Sequence, residues 1–224
     1  MSRRGLNRHG LIRDFDAGSG VVRAFVALTE DLMQHLADES KPVVAVTSAA
    51  RGDGRSTIAG NLTACLARLK HRKTLLIDGD LRRPVQAKRW GLKQSAGLSG
   101  VLLGKVKLEE AIQSIEDQSG LLAAGGDANA FLIPSHEEMW RSMMEECHRR
   151  FDWIIVDCPP LYAGAAVTIG RSATGAVLVA RANVTRGEVL QSCGERLEEL
   201  CVRNLGVVLN QRRYDIPNFA YRRL

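Results

Sequence analysis

No apolar run in this chain approaches the ~18 residues that a membrane-spanning helix needs, and the opening stretch MSRRGLNRHGLIRDF lacks the apolar core of a secretory signal. The expected location is therefore the cytoplasm. Five cysteines, Cys65, Cys147, Cys158, Cys193 and Cys201, are an odd number with no C-x-x-C pair, which argues against a disulfide framework or a zinc site. They are expected to be reduced and mostly buried. The five histidines show no metal-ligand spacing, and there is no internal repeat, low-complexity tract or clear domain boundary. What remains is a chain of 224 residues, 45% hydrophobic and 25% charged, with the composition of one soluble globular domain. Its formal charge of +6 is concentrated at the ends, in Arg3, Arg4, Arg8 and Arg13 and in Arg212, Arg213, Arg222 and Arg223. Such ends suit an anionic membrane surface, an acidic partner or nucleic acid, or are simply solvated tails.

The hydrophobic pattern changes once along the chain. In VVRAFVALTEDLMQHL, the residues Val22, Phe25, Val26, Leu28, Leu32 and Leu36 fall close to helical spacing. From Lys41 onward, short apolar runs alternate with longer amphipathic segments. PVVAVTS, KTLLID, GLLAAG, DWIIVD, GAVLVAR and LGVVLN are too short and too uniformly apolar for surface helices, and they predict strands buried on both faces. STIAGNLTACLARLK, EEMWRSMMEECHRR and GEVLQSCGERLEELC predict helices between them. Alternation of this kind predicts a doubly wound α/β fold with a mostly parallel sheet flanked by helices. The chain divides into a segment and helix over 1–40, the α/β domain over 41–210, and a basic tail over 211–224.

Ligands of such sheets bind at the carboxyl ends of the strands, so the residues just after each apolar run matter most. After VVAVTS comes AARGDGRST, nearly a phosphate-binding loop of the form [AG]-x-x-x-x-G-K-[ST], with Arg55 standing where the lysine belongs. Gly52 and Gly54 let the backbone close round an anion, and Ser56 with Thr57 opens a helix whose N-terminus favours negative charge. After TLLI comes DGDLRRP, with Asp78, Asp80 and Arg82; after WIIV comes DCPP, with Asp157. Taken singly, each is more often only a turn, a cap or a solvated acid. Two acidic strand ends beside a phosphate loop point together to a Mg²⁺-nucleotide site, because that hard cation takes carboxylate, hydroxyl and phosphate oxygens.

The order TSAARGDGRST, LLIDGDLRRP, WIIVDCPP resembles the bacterial tyrosine kinases of capsule and exopolysaccharide operons, a branch of the P-loop ATPases. Softer matches are GLSGVLLGKVKLEEAI, GAVLVAR and LGVVLN, and the likeness runs from about Val43 to Asn210. The resemblance implies that Gly52, Asp53, Gly54, Arg55, Ser56, Thr57 and Arg82 surround ATP. It implies Mg²⁺ held by Ser56, Asp80 and Asp157, with Arg55, Asp78, Asp80 and Asp157 as the catalytic group. It further implies autophosphorylation of tyrosines in the tail, here Tyr214 and Tyr221, in a homo-oligomeric ring. Activation would come from the cytoplasmic end of a membrane chain-length (co-polymerase) protein, which places the chain at the inner face of the membrane. No specific nucleic acid is expected.

Three departures shape the expected activity. An arginine's planar fork does not simply replace a compact ammonium between two phosphates, and loss of one charge stabiliser costs ~10² to 10³ in rate. The helix positions that carry a glutamate and two arginines in the family hold Arg23, Val26 and Thr29, and IPSHEE stands where the family has an N-P element. An active autokinase and a nucleotide-sensing regulator of low turnover therefore both stand as expectations, with a partition-type ATPase third; the last is disfavoured by DLRRP and by Ala50 in place of a second lysine.

Overall fold

The computed structural model describes residues 9–212 apart from 13, 17, 117 and 131–135. Its elements run α1 (Gly20–His35), β1 (Val43–Ser48), α2 (Arg55–Lys70), β2 (Thr74–Asp78), α3 (Gln86–Trp90), α4 (Gly97–Leu102) and α5 (Leu108–Ala111). They continue β3 (Ile112–Glu116), β4 (Ser119–Leu122), α6 (His136–Arg150), β5 (Trp153–Asp157), α7 (Gly164–Ser172), β6 (Gly175–Arg181), α8 (Gly187–Glu199) and β7 (Asn204–Asn210). The strands form one seven-stranded sheet in the order β3-β4-β2-β5-β1-β6-β7. All pairs are parallel except the β3–β4 hairpin at one edge. The predicted α/β class holds.

Strands β1, β2, β4 and β5 are buried along their whole length, as continuous β-branched and leucine runs require when helices cover both faces. Alternation still assigns each side chain to a face. Val43, Ala45, Leu75, Ile77, Ile154 and Val156 join the core beneath α4 to α8, while Val44, Val46, Leu76, Ile155, Val177 and Val179 join the core beneath α1 and α2. On α1 the buried residues are Val22, Phe25, Thr29 and Leu32, a stripe at steps of three and four. Helix α2 is buried almost all round from Ile58 to Ala67, because it lies between sheet, α1 and the chain's N-terminal stretch.

Two expectations are corrected here. LGVVLN does form a strand, but β7 is not buried on both faces: it is a sheet edge, with Val207 and Leu209 at 45% and 59% exposure. The apolar run alone could not distinguish an edge from a centre. IQSIE was not foreseen as a strand; its mixed pattern is that of a short antiparallel edge, where charged residues are tolerated and discourage further pairing. Glu116 on β3 is paired with Arg68 of α2. Four of the five cysteines are buried and Cys201 is exposed. Among the described residues no helix is long and apolar enough to cross a membrane.

Candidate nucleotide site

The site lies where β1, β2 and β5 end side by side. Register places Asp78 opposite Asp157 and Val46 opposite Asp157, so the two aspartates are neighbours on adjacent parallel strands. The loop leaving β1 is shaped by its own side chains. Ser48 Oγ donates to the Ala50 carbonyl at 2.6 Å, and the Ala50 N–H donates to Asp53 Oδ2 at 3.1 Å, closing the turn. Gly52 and Gly54 take φ of 88° and 103°, a region open to glycine and strained for other residues. The Gly54 carbonyl then accepts from the N–H groups of Thr57 and Ile58 at 2.9 and 3.0 Å, and α2 begins. The remaining first-turn N–H groups face the loop as an anion cradle.

Arg55 does not reach into that cradle. Its guanidinium turns back over the strand ends, donating from Nη1 to Ser48 Oγ and from Nη2 to Asp80 Oδ2, each at 3.4 Å. The side chains of the Arg55–Asp80 pair are only 9% and 11% exposed. Asp80 Oδ1 accepts the Arg83 N–H at 3.2 Å, and Asp78 Oδ2 accepts the N–H groups of Val85 and Gln86 at 3.0 and 2.9 Å. Both acids of DGDLRRP thus cap the turn into α3, the commonplace role of a strand-end aspartate. The glycine between them admits a close crossing: a Cβ on Gly79 would lie 2.8 Å from Ile169 Cδ1 and 3.1 Å from the Asp157 carbonyl.

Asp157 is fully buried; its Oδ2 accepts from Gln86 Nε2 at 2.8 Å, while Oδ1 has no hydrogen-bond partner among the described residues. Asp78 Oδ1 is in the same condition. Burial raises the Asp157 carboxyl above its ordinary range, opposed by Ser56, by Gln86 and by the charges of Arg55 and Arg89. Burial, and then the charge of Asp157, pushes Asp78 up to about 7. Two acids so placed share a proton when no cation is near. A divalent cation fits this arrangement, since orphaned buried carboxylate oxygens are what it would satisfy. Among the described residues no three His, Cys, Asp or Glu side chains converge on one point, so the remaining ligands would be the Ser56 hydroxyl and phosphate oxygens.

Of the residues singled out from sequence, Gly52, Asp53, Gly54, Arg55, Ser56, Asp78, Asp80 and Asp157 are brought together. Thr57 is there too, but its Oγ1 accepts from Arg89 Nη2 at 3.0 Å. Arg82 is exposed. Tyr214 and Tyr221 lie outside the described residues. Thr29 is buried and donates to the Phe25 carbonyl at 2.7 Å, whereas Arg23 is exposed and donates to the Gly18 carbonyl at 3.0 Å.

Sequence reasoning missed three contributors. Gln86 joins Asp157 to the Ser56 carbonyl. Arg89, one helical turn on, bridges Thr57 Oγ1 and the His9 carbonyl. Asn210 Nδ2, at the end of β7, donates to the Asp53 carbonyl at 2.8 Å and would lie 1.9 Å from a Cβ on Gly54. PVQAKRW matches no short motif, and the final residue of LGVVLN carried no signal except its place at a strand's carboxyl end.

The ParA family model, described as an NUBPL iron-transfer P-loop NTPase, matches residues 39–222. The chain is similar to tyrosine-protein kinase YwqD of Bacillus subtilis (strain 168), 35% identical over 179 residues that cover 79% of this chain and 75% of that protein. It is also similar to tyrosine-protein kinase etk of Escherichia coli (strain K12), 29% identical over 192 residues. That match covers 84% of this chain and 26% of etk, so the chain spans about a quarter of that longer relative. Among solved structures, the chimerical protein CapA2B2 superposes with a TM-score of 0.83 at 25% identity, covering 93% of this chain and 92% of that one.

Proposed function

Because the chain belongs to the ParA P-loop NTPases and, among them, to the bacterial tyrosine kinases, we propose that it binds ATP with Mg²⁺ and transfers the γ-phosphoryl group to tyrosine. The observation that carries this is the pair of buried, half-satisfied carboxylates, Asp78 and Asp157, at the foot of a glycine-shaped loop. First-turn N–H groups of α2 hold the phosphates; Ser56 and Asp157 hold the cation. Bound Mg²⁺ supplies neutralisation of charge on the β- and γ-phosphate oxygens. Asp78, whose Oδ1 has no hydrogen-bond partner among the described residues, would take the acceptor's proton or support the metal. Tyr214 and Tyr221 are the proposed acceptors. The pathway served would be capsule or exopolysaccharide synthesis, with a membrane chain-length protein as partner at the inner face of the membrane and self-assembly of the chain as a second association.

The Arg55–Asp80 pair favours a second reading, a nucleotide sensor of low turnover. To meet a phosphate Arg55 must leave Asp80, and Asp80 then becomes available to the cation. Each binding event would then exchange the Arg55–Asp80 pair for contacts to the nucleotide, whatever the rate of transfer.

A thermal scan with millimolar Mg·ADP tests the site. A ligand at a hundredfold its Kd stabilises by ~2.7 kcal/mol, or roughly 5–10 °C for a chain of this size. The rise should vanish in Asp157→Ala; no rise in the wild type would sink the nucleotide reading. Intact mass after incubation with Mg·ATP separates the two readings, because only the autokinase gains phosphate.

A further inference from the structure

We propose that Gln86 is a positioning residue for the cation site: its amide fixes Asp157 so that a single carboxylate oxygen is presented, and sets the distance from Asp157 to Ser56. The inference rests on the Mg²⁺-nucleotide reading above. Gln86 is 0% exposed, and a buried amide is stable only if it is hydrogen-bonded. Both of its side-chain N–H donors go to groups of the site, one to Asp157 Oδ2 at 2.8 Å and one to the Ser56 carbonyl at 3.0 Å. A carbonyl and a carboxylate accept, so the amide nitrogen must face them and its orientation is fixed.

With Oδ2 engaged, Asp157 cannot rotate freely, and Oδ1, buried with no hydrogen-bond partner among the described residues, is the oxygen left for a cation. The Ser56 carbonyl is held by the same planar group, so the residue bearing the hydroxyl ligand and the carboxylate ligand are spaced by one rigid side chain. The backbone N–H of Gln86 also donates to Asp78 Oδ2 at 2.9 Å, which ties the second acid to the same residue. Nothing in α3 receives either side-chain donor, and Gln86 Oε1 has no partner among the described residues. Residues of this kind, which orient a metal ligand without touching the metal, are each worth ~10- to 100-fold in metal affinity.

The test measures ADP binding to the full chain by calorimetry, in EDTA and across a Mg²⁺ titration. Gln86→Met keeps the length of the side chain and removes both donors. The expected result is a half-saturating Mg²⁺ concentration raised ~tenfold or more, with metal-free ADP affinity within about twofold of wild type. Equal losses with and without Mg²⁺ would mark Gln86 as a purely structural residue and overturn the inference; so would no loss at all. Should the methionine variant fail to fold, Gln86→Asn, which keeps the amide but is too short to span both partners, is judged by the same split. Absence of any Mg²⁺ effect in the wild type would fail the cation reading itself, and this inference with it.

Discussion

Arg55 stands where a phosphate-binding loop has its lysine. Its two donors reach two acceptors on different elements, Ser48 Oγ on β1 and Asp80 beyond β2. A lysine ammonium is a compact point charge and cannot span both in that way. Arg55→Lys should therefore loosen the ion pair to Asp80 and restore a charge able to follow the migrating phosphoryl group. The expected gain in phosphate release or in autophosphorylation is at least ~tenfold, at the low end of what one such group contributes. A fall relative to wild type would mean that the pocket has been rebuilt around arginine. From sequence this arginine was visible as a departure; its partners were not, because they depend on where two strands end in space.

At the scale of elements, α2 carries more than the loop. Leu11 and Ile12, each 2% exposed, lie against it, and Leu11 packs so closely that a Cβ on Gly60 would stand 2.6 Å from its Cδ2. Asn61 clamps this stretch: Oδ1 accepts the Ile12 N–H at 2.7 Å, and Nδ2 donates to the Gly10 and Thr57 carbonyls at 2.9 Å. Asn61→Ala leaves a buried donor without its partner and should cost about 1–3 kcal/mol in urea unfolding. Gly60→Ala overpacks Leu11, at a cost of about 1–3 kcal/mol that the roughly 0.5–1 kcal/mol regained in helix propensity only partly offsets, and is read by the same measurement. A change under about 0.5 kcal/mol in both would show that the segment from His9 to Ile12 is not held as described. Two adjacent apolar residues in a basic, polar stretch show no periodicity, so their burial left no trace in the sequence pattern. The six main strands and four long helices, by contrast, were legible because each is a contiguous apolar or amphipathic run.

For the whole molecule, the two buried aspartates link stability to pH. Asp78 titrates near 7 when folded against 3.8 unfolded, so the folded chain binds the extra proton. Its contribution is complete below the unfolded value and is lost as pH rises through about 7. The nucleotide-free protein should accordingly melt at lower temperature at roughly pH 8 than at pH 6, and Asp78→Asn should flatten that slope. Mg·ADP should act in the opposite sense over the same interval, since a cation binds the deprotonated carboxylates and its stabilisation grows as they ionise. Parallel thermal scans across pH, with and without Mg·ADP, would expose an error in either sign.

The sequence by itself determined the alternation of strand and helix, the glycine-shaped loop and the acids at two strand ends. Each of these is a local signal, fixed by backbone freedom at glycine or by the period of apolar residues along a few turns. Only the tertiary structure decided that Asp78 and Asp157 share a register, that Gln86 engages one oxygen of Asp157 and the other has no partner among the described residues, that Asn210 props the loop from the end of β7, and that Arg55 rests on Asp80. Those contacts join residues distant in the chain, and they follow from how the parallel strands are ordered and aligned, which no run of neighbouring residues encodes.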